Sequence, residues 1–336
     1  MASLPRKLAL RARNRFAAPL ISRLDVLQGS IDELRAELRD ELRDELRREL
    51  EQLRVETAGA DQRFSARLDQ ATGELDRIGR ILHYVCDEGP ANRRRLHTLR
   101  ASDEYEPAFT ESEPLVSFIL PTYKRYETLR DVALPSILNQ SYSNVEVIVV
   151  GDCAPPETEQ VIAELADPRV RYYNRTVRGP YPDDDSTRWY MLGTPPYNDG
   201  LSLVRGRWIT AMADDDEVLP HHTETLLRVA QEGRFEHCYG HHVVRYKDGG
   251  KLELGSFPPK KGEFVMQASL YHSGLRFFQM GMSDHFFLEP NDWSYCRRML
   301  EAGVRFGMVD EIVCEKHESR YHSHDDWGVH GTPKVE

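Results

Sequence analysis

Three aspartates stand side by side at Asp214-Asp215-Asp216, immediately after the apolar run RWITAM. Adjacent carboxylates repel one another unless protons or a cation compensate them. Hard divalent ions such as Mg²⁺ and Mn²⁺ take oxygen ligands of this kind and share them with substrate phosphates. The plain structural alternative is an acidic turn that caps the following helix. Two more polar groups follow apolar runs in the same way. Pro121-Thr122-Tyr123 closes LVSFIL, and Asp152 closes VEVIVVG.

The elements that must carry these groups alternate. LVSFIL (115–120), VEVIVV (145–150), VRYYN (170–174) and RWITAM (207–212) read as short buried strands. Between them, 127–139, 156–166 and 197–205 read as helices, the first shortened or kinked by Pro135. Strand and helix in alternation imply an α/β fold with parallel pairing and right-handed crossovers. In open sheets of this class ligands bind beyond the carboxyl ends of the strands. That rule brings Pro121-Thr122-Tyr123, Asp152 and the aspartate triplet to one edge. A hairpin is expected over 236–255, turning at Asp248-Gly249-Gly250.

In this order, VSFILPTYKR, VEVIVVGD and NDGLSLVRGRWITAMADDDEVLP resemble the nucleotide-sugar-binding half of the inverting family 2 glycosyltransferases of GT-A fold. The resemblance runs over 115–320. It implies a mostly parallel nucleotide-binding sheet flanked by helices, and transfer of a sugar from a nucleoside diphosphate to an acceptor hydroxyl. It places the nucleobase against Pro121, Thr122 and Tyr123, and a uracil or thymine imide on Asp152, hence a UDP- or dTDP-linked donor. The family pattern has two acids at the latter point, and this chain has Gly151 in the first place. Asp216 is implied as a ligand of Mn²⁺ or Mg²⁺, Asp215 as a contact of ribose or metal, and Asp214 as the residue between. Asn198 matches an asparagine close to the donor. Asn291-Asp292 resembles the Glu-Asp pair that opens a later helix, which makes Asp292 the base for the acceptor hydroxyl and puts Asn291 where the first acid would be. His317 resembles a histidine that approaches metal or diphosphate. The resemblance implies a saccharide or lipid-linked acceptor, and the synthesis of cell-surface polysaccharide or glycoconjugate.

The N-terminal third lies outside this resemblance. Residues 1–28 carry six Arg/Lys against one acid, interleaved with Leu, Ile and Phe. Such a stretch suits an anionic membrane surface or a solvated arm. Residues 29–86 read as a long helix. Ser30 and Glu33 form a capping box, and Leu24, Leu27, Ile31, Leu34 and Leu38 step by three and four, as a coiled-coil seam does. The ELRD repeat then stretches the seam to Leu53, and Gly59 and Gly73 interrupt it. One apolar stripe on a charged helix needs cover, so a homo-oligomeric coiled coil is expected. Residues 87–114, with Gly89-Pro90, Arg93-Arg94-Arg95 and an acidic stretch, read as a linker. Residues 321–336 read as a tail.

Composition narrows the classes. Of 336 residues 40% are apolar and 29% charged, which excludes a wholly disordered chain or a multispanning membrane protein. The net charge is −11, yet the first 100 residues hold 20 basic and 17 acidic groups, so the remainder is strongly acidic. An acidic domain does not suit nucleic acid as main ligand. Five scattered cysteines without CxxC spacing suit a reducing compartment. With neither a signal core nor a membrane span, a cytoplasmic protein working near the inner membrane face is expected. Two other functions stay open on the residues alone: a coiled-coil scaffold with a non-catalytic nucleotide- or glycan-binding module, and a phosphohydrolase using the aspartate triplet.

Overall fold

The computed structural model describes residues 26–49, 61–287 and 289–317, without the side chains of 61–66, 85, 185 and 186. The chain divides into two units, Met1–Leu75 and Asp76–Glu336. In the first, residues 26–49 are helical, and Leu27, Ile31, Leu34 and Leu38 stand exposed along it. Ser30 lies inside this helix rather than at its start. A second helix, Asp61–His83, continues through Gly73 without a break. Residues 50–60, and with them Leu53 and Gly59, fall outside the described residues, as do 1–25. No helix among the described residues is long and apolar enough to cross a membrane.

Among the described residues the second unit holds nine strands: β1 (Val116–Thr122), β2 (Val145–Gly151), β3 (Val170–Asn174), β4 (Trp208–Ala211), β5 (Glu217–Val218), β6 (His237–Arg245), β7 (Lys251–Leu254), β8 (Ser269–His272) and β9 (Phe306–His317). They form one sheet in the order β3-β2-β1-β4-β8-β6-β9-β5, with β7 on β6. β3, β2, β1 and β4 are parallel to their neighbours, as expected. Central strands covered on both faces need unbroken apolar runs, and every residue of β2 is buried. The helix Thr194–Leu203 covers β1 and β2. A Cβ on Gly200 would lie 2.5 Å from Ile119 Cγ2, so only glycine allows this approach.

The expectation of a mostly parallel sheet needs correction. β4–β8, β6–β8, β6–β7 and β5–β9 pair antiparallel, so the sheet is mixed. The β6–β7 hairpin turns at the expected glycines. Residues 255–268 then carry the chain away and return it as β8, antiparallel between β4 and β6.

Residues 87–114 are not a linker. Gly89–Arg100 and Pro107–Thr110 are helical, and Leu96, Leu99, Tyr105, Ala108 and Phe109 join the core. Arg100 fixes this segment by a two-pronged bond to Glu236, Nε to Oε1 at 2.7 Å and Nη2 to Oε2 at 2.8 Å. Burial pushes the Glu236 carboxyl up, but Arg100, the Arg305 amide and the Tyr105 hydroxyl together hold it below the usual glutamate value. The arginine run lies on the same helix as Leu96 and Leu99, which hides the apolar pair from a search for periodicity.

Candidate active site

The ends of β1, β2 and β4 come together as the strand-end rule requires. Thr122 Oγ1 donates to Asp214 Oδ2 at 2.8 Å, and the Asp152 amide donates to the Thr122 carbonyl at 2.8 Å. Arg125, just past β1, donates to Asp214 Oδ1 at 3.2 Å and also pairs with Asp215. Asp214 and Asp216 are buried. Burial pushes both carboxyls up, to about 6 and about 7, against the pull of Arg125 on Asp214 and of Lys316 on Asp216. Asp216 is held by two donors, the Gln267 side-chain amide at 3.0 Å and the His317 backbone amide at 3.2 Å. Gln267 is itself fixed through its backbone carbonyl by His222 Nε2 at 3.1 Å, whose imidazole burial keeps neutral.

Asp292 opens the helix Asn291–Ala302, and its Oδ1 accepts the Trp293 amide at 2.7 Å. Burial raises its carboxyl above the ordinary aspartate value, with Lys316 pulling the other way. Lys316, on β9, faces both Asp216 and Asp292. Burial works against its ammonium, but these carboxylates hold its pKa above the usual lysine value. Asp216 and Asp292 therefore both act on one cation. Asn291 positions the helix: its Nδ2 donates to the Leu192 carbonyl and Thr194 Oγ1, both at 3.0 Å, and its Oδ1 accepts the Asp292 amide at 2.9 Å.

Other expected residues have different surroundings. Asp152 is already surrounded by donors: Arg175 Nη1 at 2.7 Å, the Gly179 amide at 3.0 Å and the Tyr181 hydroxyl at 2.6 Å. Burial and this last bond keep the Tyr181 phenol protonated. Tyr123 lies beneath the Arg178 guanidinium, 4.0 Å from its ring centre. Asn198 uses both ends of its amide on the Met280 backbone, at 2.9 and 3.0 Å. The His317 imidazole turns away from Asp216 to Glu217 Oε1 at 3.1 Å. With Glu217 and Glu315 it makes the one group of three potential ligand side chains within 4.8 Å among the described residues. Glu315 there is paired with Arg245.

The triplet offers a divalent cation suitable donors, although no three of these carboxylates gather within 4.8 Å as Glu217, Glu315 and His317 do. Asp214, Asp215, Asp216 and Asp292 face Arg125 and Lys316, so negative charge exceeds positive, and the ligands are hard oxygens. Sequence reasoning missed Lys316, Gln267, Arg175 and Tyr181. For Lys316 a signal was present: strand side chains alternate, so the residue between Glu315 and His317 faces away from both.

Residues 117–181 match the family model Glycosyl transferase family 2. This region is thus similar to family 2 glycosyltransferases, and it lies in the mixed α/β sheet described above. The chain is 30% identical over 138 residues to the GalNAc(5)-diNAcBac-PP-undecaprenol beta-1,3-glucosyltransferase of Campylobacter jejuni, covering 40% of each chain. It is 30% identical over 124 residues to the putative colanic acid biosynthesis glycosyl transferase WcaA of Escherichia coli, covering 36% of this chain and 40% of that one. The chain thus spans less than half the length of these relatives. Among solved structures, TarS 1-349 of S. aureus in complex with UDP-GlcNAc aligns at a TM-score of 0.49 and 14% identity, over 63% of this chain and 60% of that one.

Proposed function

We propose that this protein is an inverting glycosyltransferase that moves a sugar from a UDP- or dTDP-linked donor to a hydroxyl of a saccharide or lipid-linked acceptor, in the synthesis of cell-surface polysaccharide or glycoconjugate. The observation that carries this reading is that Asp216 and Asp292, two carboxylates from distant stretches, lie near enough to one lysine, Lys316, for both charges to act on it. Asp292 takes the proton of the acceptor hydroxyl as its oxygen attacks the anomeric carbon. Its raised carboxyl suits a base that works near neutral pH. Pro121, Thr122 and Tyr123 line the nucleobase side with Asp152, and Asp214 and Asp215 line the ribose side. Asp216 would hold Mn²⁺ or Mg²⁺, with Asp215 beside it and His317 at the far end of β9. When bound, the ion supplies Lewis-acid stabilisation of the diphosphate charge.

The helical stripe within 29–86 is taken as a contact between copies of the chain, and the basic residues 1–28 as a contact with the inner membrane face. Sedimentation of the protein against a chain lacking residues 1–75 tests the first.

The activity is tested by incubating the protein with Mn²⁺ and a panel of nucleotide sugars and measuring released nucleoside diphosphate, with and without saccharide acceptors. Release from one donor, abolished by EDTA, is expected. Binding without release from any donor would leave the scaffold reading in its place.

A further inference from the structure

The C-terminal end of β9 carries three consecutive charged or titratable side chains that divide between two faces. β9 pairs with β5 (Glu217 opposite Glu315, Val218 opposite Cys314) and with β6 (Val244 opposite Lys316, Arg245 opposite His317). Glu315 and His317 turn to Glu217. Strand alternation turns Lys316 to the opposite face, where the charges of Asp216 and Asp292 act on it. The backbone anchors it there, because the next amide, that of His317, is bonded to Asp216 Oδ1 at 3.2 Å.

Two cations face the four carboxylates of this site, and their situations differ. Arg125 is bonded to Asp214 and paired with Asp215. Lys316 makes no hydrogen bond or ion pair among the described residues, although two acids act on it. An ammonium carries three donors. Here the backbone beside them is tied to Asp216, the side chain is part-buried where its interactions are strengthened, and the donors are left for something not supplied by the described side chains. Arg125 is engaged by Asp214 and Asp215, so of the two cations Lys316 is the one with donors left for an anionic ligand. Both the carboxylate assigned to the diphosphate side and the one assigned to the acceptor act on Lys316, and the bond to the sugar breaks between those two sides.

We propose that Lys316 is a catalytic residue whose ammonium binds the diphosphate of the donor and meets the oxygen that leaves the sugar; this rests on the glycosyltransferase reading above. The acceptor oxygen bonds to the anomeric carbon as the bond from that carbon to the phosphate oxygen breaks. The electron pair leaves with the nucleoside diphosphate, and the acceptor proton passes to Asp292. Lys316 stays protonated throughout and donates a hydrogen bond to the departing oxygen. A lysine that only neutralised Asp216 and Asp292 would be structural and indifferent to phosphate.

The test compares wild type, Lys316→Met and Lys316→Arg by calorimetry in EDTA, with UDP and UMP as probes and dTDP and GDP in parallel, after melting curves establish that each variant folds. Wild type should bind UDP more tightly than UMP without any metal. Lys316→Met should lose at least tenfold in UDP affinity and no more than about twofold for UMP, and Lys316→Arg should recover part of the loss. With Mn²⁺ and a working donor, kcat should fall further in Lys316→Met than binding does. Equal losses for UDP and UMP, or unchanged UDP affinity, would overturn the proposal. Wild type that shows the UDP preference yet releases nucleotide from no donor would sink the glycosyltransferase reading while leaving the diphosphate site. Wild type that binds no nucleoside diphosphate would sink both.

Discussion

Asn174 fills the space that any side chain at residue 151 would need: a Cβ built on Gly151 would lie 2.5 Å from Asn174 Oδ1. Asn174 is held there by two bonds to the Ala154 backbone, from the Ala154 amide at 2.9 Å and to its carbonyl at 2.8 Å. The missing first acid after β2 is thus a matter of packing, since the end of β3 has taken its volume.

Gly151→Asp should therefore destabilise the fold by about 2 kcal/mol through overpacking. Denaturant titration measures this, and combining the change with Asn174→Gly should recover part of the loss. Equal stability of Gly151→Asp and wild type would show that Asn174 moves aside freely.

Asp292→Asn keeps the shape of the helix start and removes the proton acceptor. Transfer should fall by about 10²- to 10⁴-fold, while UDP affinity by calorimetry stays within a few-fold. Full turnover in this variant would remove Asp292 from the chemistry.

Burial pushes the Asp216 carboxyl up to about 7, from an ordinary aspartate value of 3.8. Between about pH 4 and 7 the folded state keeps a proton that the unfolded state has released, so this group's contribution falls as pH rises through that window. Asp216→Asn lacks the cost. Its stability advantage over metal-free wild type should grow by about 2 kcal/mol from pH 5 to pH 7 and then level off. His222 and His237, whose pKa values burial lowers to about 3, act in the opposite sense but equally in both proteins, so the difference isolates Asp216. Mn²⁺ at pH 8 should raise the melting temperature of wild type and leave that of Asp216→Asn unchanged.

Tyr181→Phe frees one oxygen of Asp152. It should cost about 1 kcal/mol of stability. If the pyrimidine imide is read by Asp152, the base no longer competes with the phenol, and UDP should bind several-fold more tightly. Weaker UDP binding in this variant would mean that Tyr181 itself belongs to the nucleotide contact.

Arg100→Ala should cost about 3 kcal/mol, because it strips the strongest partner from a wholly buried Glu236. A melting curve measures it, and a shift of less than a degree would mean that Tyr105 and the Arg305 amide suffice alone.

The parts of the fold that were legible were those with a simple period. β1, β2 and β4 are runs of buried apolar residues, and the β6–β7 turn carries its own glycines. The antiparallel β8 and the two-residue β5 give no such signal, because their pairing is set by distant strands rather than by their own side chains. Leu96 and Leu99 were obscured by neighbouring arginines. Within the site, strand-end logic found Asp152 and the triplet, and the resemblance pointed to Asp292. Lys316 escaped notice because a lone lysine in a charged stretch usually faces solvent, and only the strand's alternation turns it inward.

β9 has a bearing on biosynthesis. It runs from Phe306, next to the Arg305–Glu236 contact, to Lys316 and His317 at the site, and it is the last described strand. The four parallel strands that frame the nucleotide side are all complete by Ala211, a hundred residues before it. On the ribosome the four parallel strands can form first, while Lys316 and the amide that secures Asp216 follow about a hundred residues later. A nascent chain that has not yet reached β9 would hold Asp216 without the His317 amide that later secures it.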